Sequence, residues 1–335
     1  MGAALDLRPW LAQLETRIAE HALGAPGAYR RWRRPDPTQA DGANPYGSAD
    51  AANLLYTLAR LPAAPRVRAR WVETLRAFQE PDTGWFREPT HHEIHTTAHC
   101  LGALELFDAR PRQRLTGLSF LDAPGALEDF LDTLDWRGDP WIESHRGAGI
   151  FAARVLAGEA SPAWEARYFA WLDAACDPAT GLWRRGRVSP PFRWGDNRFP
   201  HLAGTFHYLF NFEHRDHPHP FPAELVETCL DLFATNEYPL GTDIGFAEVD
   251  WVYCIARAQA RSGVRRDAVR EALAAFARRY FEFLEAIDWD VHGGAQDLHA
   301  LFGATCAWAE LQRNLPDTIR TERPLRPVLD RRPFI

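Results

Sequence analysis

Two kinds of apolar segment alternate along the chain, and this alternation is the feature that most constrains its fold. Six segments place apolar residues every three or four positions with charged residues between them, as Leu7, Leu11, Leu14 and Ile18 do in the first. This spacing is typical of amphipathic helices that bury one face. The six segments cover about residues 5–22, 65–79, 123–134, 162–175, 221–234 and 266–286.

Between the amphipathic segments lie six others that are apolar on nearly all sides and polar chiefly near their starts. They begin near residues 48, 94, 143, 200, 247 and 297. A helix that is apolar all round is buried, and pairs of helices recurring about every 50 residues indicate a repeat architecture. We therefore expect an all-α protein, an (α/α)6 toroid of six helical hairpins with an outer and an inner ring of helices. The alternative is an open helical array, against which the strongly apolar inner set argues.

The connectors support a repeat. QEPDTGWF (79–86) and CDPATGLW (176–183) both carry an acidic residue beside a proline, then Thr-Gly, then Trp. Pro and Gly end the outer helix and turn the chain, so these loops should lie on the face where the inner helices begin. We expect residues 1–315 to form one toroid domain and residues 316–335 an extended, Arg- and Pro-rich C-terminal tail.

Composition narrows the functional classes. The chain has 335 residues, 46% of them apolar, and a net charge of −7, which argues against a nucleic-acid partner because such proteins normally present a basic face. All 38 basic residues are Arg, which excludes a Schiff-base or P-loop lysine. No signal-peptide core or membrane-length apolar stretch is visible, so we expect a cytoplasmic protein without a membrane partner. The five cysteines lack CxxC spacing and predict buried free thiols.

A polar residue lies close to the start of each inner segment. In a toroid, equivalent positions of the inner helices would form a ring around the axis, and this ring would hold four histidines and two aspartates. Histidine titrates near neutral pH and serves as acid or base, so we take the six residues as catalytic candidates. They are Asp50, His99, His145, His207, Asp250 and His299.

Further polar and aromatic residues are candidates for substrate binding. Some lie near the ring, the tryptophans lie in loops at the expected mouth, and the arginines lie in the longest connector, which could cover the mouth as a lid. Arg would recognise a carboxylate or phosphate. These candidates are His95, Glu143, His201, Tyr253, Asp297, Trp85, Trp141, Trp194, Arg193 and Arg198.

The segment HHEIHTTAH (91–99) contains His95 and His99, which have the spacing of a helical pair of metal ligands. There is no HExxH motif, and no third ligand is fixed by spacing. We therefore expect no metal and no other cofactor, and any activity should survive chelation.

Two groups of proteins resemble this chain over nearly its whole length as architecture. An outer helix followed by Gln79, Gly84 and Trp85 resembles the repeat of squalene–hopene cyclases and protein prenyltransferases. The six-hairpin arrangement is similar to unsaturated glucuronyl hydrolases, N-acylglucosamine 2-epimerases and toroidal polysaccharide lyases. The chain lacks the DxDD and DDxxD motifs of terpenoid enzymes, and AEVDW (247–251) offers a single Asp. The paired zinc cysteines of LanC-type cyclases are also missing.

These observations lead to a hypothesis of a carbohydrate-active enzyme that applies general acid/base chemistry to a small-molecule or oligosaccharide substrate. Hydrolysis is favoured over elimination or epimerisation, with Asp250 as the acid and Asp50 as a second carboxylate, because glycoside hydrolysis commonly needs two. One alternative is a terpenoid cyclase or prenyl-chain enzyme, whose pocket would be lined mainly by Phe, Tyr and Trp. The other is a toroid that binds a ligand without catalysis.

Overall fold

Helices dominate the computed structural model, which describes residues 4–34, 42–184 and 198–333. As predicted, the described chain is all-α in character, with two short strands, β1 (Leu5–Asp6) and β2 (Ile319–Arg320). The α-helices are α1 (Arg8–Glu20), α2 (Pro45–Thr57), α3 (Pro65–Ala77), α4 (Glu93–Glu105), α5 (Ala126–Thr133), α6 (Pro140–Ala157), α7 (Pro162–Ala175), α8 (Phe199–His214), α9 (Pro222–Thr235), α10 (Ala247–Ser262), α11 (Arg266–Ala286) and α12 (Leu298–Asn314).

Helix starts follow local chemistry. Proline occupies the first helical position of α2, α3, α6, α7 and α9, where its missing N–H would have no helical partner. Side chains cap several helices: Asn44 accepts from the N–H of Gly47 at the start of α2, and Ser161 accepts from Trp164 at the start of α7. Such caps satisfy N–H groups that the helix leaves free, which explains why these boundaries agree with the sequence.

Burial alternates from helix to helix as the apolar pattern predicted. Every residue of α8 from Phe199 to Phe212 is buried, whereas α3 buries only Trp71 and Leu75. The even-numbered helices therefore form a buried set and the odd-numbered helices an outer set. Close packing of the buried set uses small residues, since a Cβ on Gly204 of α8 would come within 2.9 Å of the Pro140 carbonyl oxygen at the start of α6.

The buried helices contact one another in order. Helix α2 contacts α4, α4 contacts α6, α6 contacts α8, α8 contacts α10, and α10 contacts α12. Helix α12 also contacts α2. The first and last buried helices are therefore neighbours in space although they are farthest apart in sequence.

The two ends of the chain are joined at several points. Strand β1 pairs in parallel with β2. Arg31 forms a two-point ion pair with Asp297, with Nε to Oδ1 at 2.9 Å and Nη2 to Oδ2 at 3.0 Å. The fork of a guanidinium matches a carboxylate in this geometry, so the pair holds the segment before α2 against the start of α12.

The C-terminal segment packs across the C-terminal ends of the buried helices. The N–H of Arg326 donates to the carbonyl of Thr57 at the end of α2. A 3₁₀ helix at Val328–Asp330 contacts both α2 and α8. Arg332 is 1% exposed, and its side chain lies against Gly102 of α4. This segment covers the end of the helix set opposite to the one where the buried helices begin.

The connector at 79–86 binds the next hairpin. The Gln79 side chain donates to the carbonyls of Gly84 and Gln113 and accepts from the N–H groups of Arg112 and Gln113. The backbones of Gln79 and Phe86 form an isolated antiparallel β-bridge. In the related connector, the backbones of Cys176 and Trp183 form a bridge of the same kind. The two loops that look alike in sequence therefore share a backbone arrangement.

All five cysteines are buried and free, as predicted. Among the described residues, no helix combines the length and the apolarity that crossing a membrane requires.

Candidate active site

A cavity of about 290 Å³ opens where the buried helices begin. Its walls come from α4, α6, α8, α12 and the segments before α4, α6 and α10. Five histidines, three aromatic residues, one isoleucine and one aspartate line it among the described residues: His91, His95, His145, His207, His299, Trp141, Tyr238, Phe246, Ile142 and Asp139.

Three of the lining histidines converge. One side-chain nitrogen from each of His95, His145 and His207 lies within 4.8 Å of the other two. The ring centres of His95 and His145 are 4.1 Å apart, and those of His145 and His207 are 4.7 Å apart. The three residues come from consecutive buried helices, α4, α6 and α8, so packing between those helices brings the rings together.

Burial keeps this cluster uncharged. It lowers the pKa of His95 and of His145 well below the usual 6.5, and neighbouring histidines lower both further. Burial also lowers the pKa of His207 to about 3, against a backbone hydrogen bond to Ala203. A low-polarity surrounding disfavours imidazolium, so all three rings are neutral near pH 7 and each keeps one nitrogen lone pair.

Hydroxyl groups hold two of the three rings. The Ser144 hydroxyl donates to the carbonyl of Trp141 at 2.5 Å. Its oxygen lies 3.0 Å from Nδ1 of His207. A hydroxyl has one proton to donate, so His207 is the donor in the second bond and carries its proton on Nδ1. The hydroxyl of Tyr46 forms a short hydrogen bond with Nδ1 of His95.

A second cluster lies next to the first and contains a carboxylate. Oδ1 of Asp50 accepts from Nε2 of His99 at 2.8 Å and from Nδ1 of His299 at 3.1 Å. Burial acts to raise the pKa of Asp50, but the interactions with His299 and His99 outweigh it and hold that pKa below its ordinary value. An ionised carboxylate can only accept, so both histidines donate.

The proton on Nδ1 of His299 determines the state of its other nitrogen. Burial lowers the pKa of His299 to about 4 although Asp50 acts to raise it. His299 is therefore neutral near pH 7, and its Nε2 carries a lone pair. Of the three residues in the Asp50 cluster, His299 is the one that lines the cavity.

A partly buried network of hydrogen bonds supports the mouth of the cavity. Nη1 of Arg31 donates to Thr90 at 2.6 Å, and Nδ1 of His91 lies 2.9 Å from Oε1 of Glu88. Burial acts to raise the pKa of Glu88, but hydrogen bonds with His91 and Thr90 outweigh it and lower that pKa. His91 also stacks on Tyr46, with 4.4 Å between ring centres. These contacts orient His91 toward the other histidines.

The structure brings together most of the ring that we expected from the repeat. His145, His207 and His299 line the cavity, Asp50 and His99 lie directly behind His299, and the substrate-binding candidates His95 and Trp141 are part of the wall.

Asp250 is the member of the expected ring that lies elsewhere. It is fully buried in α10, it is not among the residues that line the cavity, and its carboxylate oxygens have no hydrogen-bond partner among the described residues. Phe246, at the start of α10, takes the corresponding place in the wall and packs on His299, with 4.3 Å between ring centres.

The remaining substrate-binding candidates have other contacts. Asp297 binds Arg31 and caps α12, Glu143 pairs with Arg146, and Arg198 pairs with Asp231 and Glu237. Trp85, Tyr253 and His201 are buried away from the cavity. Arg193 and Trp194 fall within residues 185–197, outside the described part of the chain.

His95 and His99 belong to different clusters although their spacing suits a helical pair of ligands. His95 converges with His145 and His207, and His99 converges with Asp50 and His299.

Sequence reasoning missed several cavity residues. Asp139, Tyr238 and Phe246 precede helices or lie in connectors, and an alignment of helix starts does not reach them. Ile142 is apolar, and its residue type gave no reason to expect it in a functional site. His91 was visible in the histidine-rich segment, and its place beside His95 follows from a turn that the sequence pattern does not specify.

Comparisons with models of protein families, with curated proteins and with solved structures each find no match.

Proposed function

We propose that the six hairpins form an (α/α)6 toroid and that the histidine-lined cavity is the active site of an enzyme acting on a small sugar. The ordered contacts of the buried helices, with α12 against α2, support the toroid. The cavity lies at the end where those helices begin, and the C-terminal segment covers the other end. A substrate would therefore enter from one side.

The observation that carries the enzymatic proposal is the hydrogen bond between Asp50 and His299. Asp50 accepts from Nδ1 of His299, which leaves Nε2 as a base on a residue of the cavity wall. A carboxylate that holds one imidazole nitrogen protonated orients the ring and stabilises the imidazolium that forms when the other nitrogen takes a proton. This arrangement suits general-base catalysis.

Proton abstraction from carbon fits the cavity better than glycoside hydrolysis. Hydrolysis commonly uses two carboxylates on either side of the scissile bond. Asp139 is the one carboxylate in the described wall, and it caps α6 by accepting from the N–H of Ile142. We therefore place epimerisation or elimination ahead of hydrolysis: His299 takes a proton from a carbon next to a carbonyl or carboxylate. Epimerisation then returns a proton to the other face of that carbon, and elimination expels a neighbouring oxygen substituent.

The size and lining of the cavity support a small polar substrate. About 290 Å³ is at the lower end of ordinary ligand pockets. Trp141, Tyr238 and Phe246 offer ring faces to the apolar side of a sugar, and the imidazoles offer polar contacts to its hydroxyls. Histidines outnumber Phe, Tyr and Trp in this wall, which is not the lining we expected of a terpenoid cyclase.

Exchange of carbon-bound hydrogen in D₂O tests the proposal directly. The protein is incubated separately with aldohexoses, ketohexoses, N-acetylhexosamines and hexuronates, and proton NMR follows the loss of the C–H signal next to the carbonyl. Uronate-containing oligosaccharides are followed by the ultraviolet absorbance of an unsaturated product. We expect exchange or elimination with at least one class.

Variants connect that activity to the proposed base. His299→Gln should lower the rate at least about 100-fold, as expected for loss of a general base. His217→Gln is the matched control, because His217 pairs with Asp173 outside the cavity. Hydrolysis without exchange, or a ligand that binds and is recovered unchanged, would contradict the proposal, as would full activity in His299→Gln.

A further inference from the structure

We propose that His95, His145 and His207 bind one divalent transition-metal ion at the wall of the cavity, with zinc as the expected ion. The proposal goes beyond the acid/base function above and does not depend on it, because it rests on the convergence of three imidazole nitrogens within 4.8 Å of one another.

The distances are close to those of a zinc site. Zn–N bonds of 2.0–2.1 Å in tetrahedral geometry hold nitrogen ligands about 3.4 Å apart. The three nitrogens already lie within 4.8 Å, so each pair would need to approach by at most about 1.4 Å to bind one ion. The ligands stand on α4, α6 and α8, and α6 packs against both of the other helices.

The ring nitrogens that would face away from the ion also have partners of the kind found in metal sites. A histidine that binds a metal usually gives its other N–H to an oxygen, which fixes the ring. Ser144 accepts from Nδ1 of His207, and the hydroxyl of Tyr46 is bonded to Nδ1 of His95. Both hydroxyl contacts are made by Nδ1, so the proposed ion would be bound through Nε2 of these two residues.

The chemistry of the ligands selects the ion. Three neutral imidazoles without a carboxylate suit zinc and its neighbours among the first-row metals, whereas Mg²⁺ and Ca²⁺ need oxygen ligands. Three protein ligands leave a fourth position, and all three histidines line the cavity. Zinc sites with three protein ligands and one open position are those that act on a substrate or water.

The neighbouring cluster of Asp50, His99 and His299 is the alternative site for an ion. There, Nε2 of His99 and Nδ1 of His299 already donate to Oδ1 of Asp50, at 2.8 Å and 3.1 Å. A metal could use those atoms only after both hydrogen bonds were broken and both protons lost. The three-histidine cluster requires no such loss, so the ion belongs there.

Metal content tests the site without any assay of activity. The full-length protein is stripped with a chelator, dialysed against Zn²⁺ or Co²⁺, and its bound metal is measured by mass spectrometry. We expect one ion per chain, visible d–d absorption bands with Co²⁺, and an X-ray absorption spectrum of the zinc form with three imidazole ligands. Metal content well below one per chain, or a spectrum with fewer than three imidazoles, would overturn the site.

Variants locate the ion. Ser144→Ala removes the hydrogen-bond partner of a ligand and should lower zinc affinity by about tenfold. His145→Gln and His207→Gln remove a ligand itself and should lower zinc affinity by more than this. The control His217→Gln should bind as the parent does. Loss of zinc in His299→Gln with retention in both His145→Gln and His207→Gln would move the ion to the Asp50 cluster and refute the proposal. If the ligand variants do not fold, the spectra of the parent decide.

The two proposals can fail separately. Stoichiometric zinc without hydrogen exchange on any sugar would leave the metal site and refute the reaction. Hydrogen exchange by a chain that takes up no metal would leave the reaction and refute the metal site.

Discussion

Oδ1 of Asp50 and Nδ1 of His299 are 3.1 Å apart although the two residues are separated by 249 positions in the sequence. Asp50 lies in the first buried helix and His299 in the last. The bond therefore exists only because α12 packs against α2. The same contact that joins the ends of the helix set also orients the imidazole that we propose as the catalytic base.

Asp50→Asn should separate the charge of Asp50 from its hydrogen bonds. Both histidines donate to Oδ1, so the amide oxygen can keep both bonds, but the negative charge that stabilises the imidazolium of His299 is lost, and we expect the hydrogen-exchange rate to fall by at least about 100-fold. Stability should fall by about 1–3 kcal/mol, because the amide N–H groups replace Oδ2, which is buried without a hydrogen-bond partner among the described residues. Rates by NMR and thermal melts measure both, and a parent-like rate would show that the charge of Asp50 does not support the base.

Asp250→Asn should have the opposite effect. Burial, with a smaller contribution from Glu248, raises the pKa of Asp250 well above 3.8. Because this group is harder to ionise in the folded chain than in the unfolded chain, it lowers stability above its unfolded pKa, and an amide removes that cost. We expect a higher melting temperature and unchanged ligand affinity, because Asp250 does not line the cavity. Loss of ligand binding in a folded Asp250→Asn variant would show that Asp250 takes part in binding.

The raised pKa of Glu248 predicts that the free energy of unfolding depends on pH. Burial, and to a smaller degree Asp243, raises its pKa from 4.5 to about 7, against backbone hydrogen bonds such as that from Gly241. Glu248 ionises near pH 4.5 in the unfolded chain and near pH 7 in the folded chain. Its contribution to stability is therefore fully present below pH 4.5 and is lost as the pH rises to 7.

The matching variant is Glu248→Gln, which cannot ionise. Relative to it, the parent should lose up to roughly 3 kcal/mol between pH 4.5 and pH 7, since each unit of pKa shift corresponds to about 1.4 kcal/mol. Urea denaturation of both proteins across this range measures the difference. Parallel curves would mean that the pKa of Glu248 is the same in the folded and the unfolded protein.

Gly84 and Gly263 offer a matched test of the connector. Both have a positive φ, +76° and +72°. A Cβ on Gly84 would lie 2.1 Å from the Arg114 carbonyl oxygen, whereas one on Gly263 would meet nothing within 4 Å. Gly263→Ala should cost about 1–2 kcal/mol from backbone strain alone, and Gly84→Ala should cost clearly more because the chain must also move. Equal losses in unfolding free energy would show that the loop yields freely.

The helices themselves could be predicted from the sequence. The amphipathic pattern at 266–286 coincides with α11, and that at 162–175 with α7. Spacing of apolar residues, prolines at first turns and caps such as Ser161 all act between residues close in sequence. The alternation of buried and half-exposed helices follows from the same local pattern, so the sequence predicts it as well.

The membership of the site was decided by tertiary structure. His95 and His99 are one turn apart on α4, yet packing assigns His95 to His145 and His207 and assigns His99 to Asp50 and His299. Asp250 matches its counterparts in sequence position but is buried elsewhere, while Phe246 takes its place in the wall. Sequence spacing determines where a residue stands on its own helix. The rotation of each helix about its axis and its depth against its neighbours depend on side-chain packing among helices far apart in the chain, and these decide which polar groups meet.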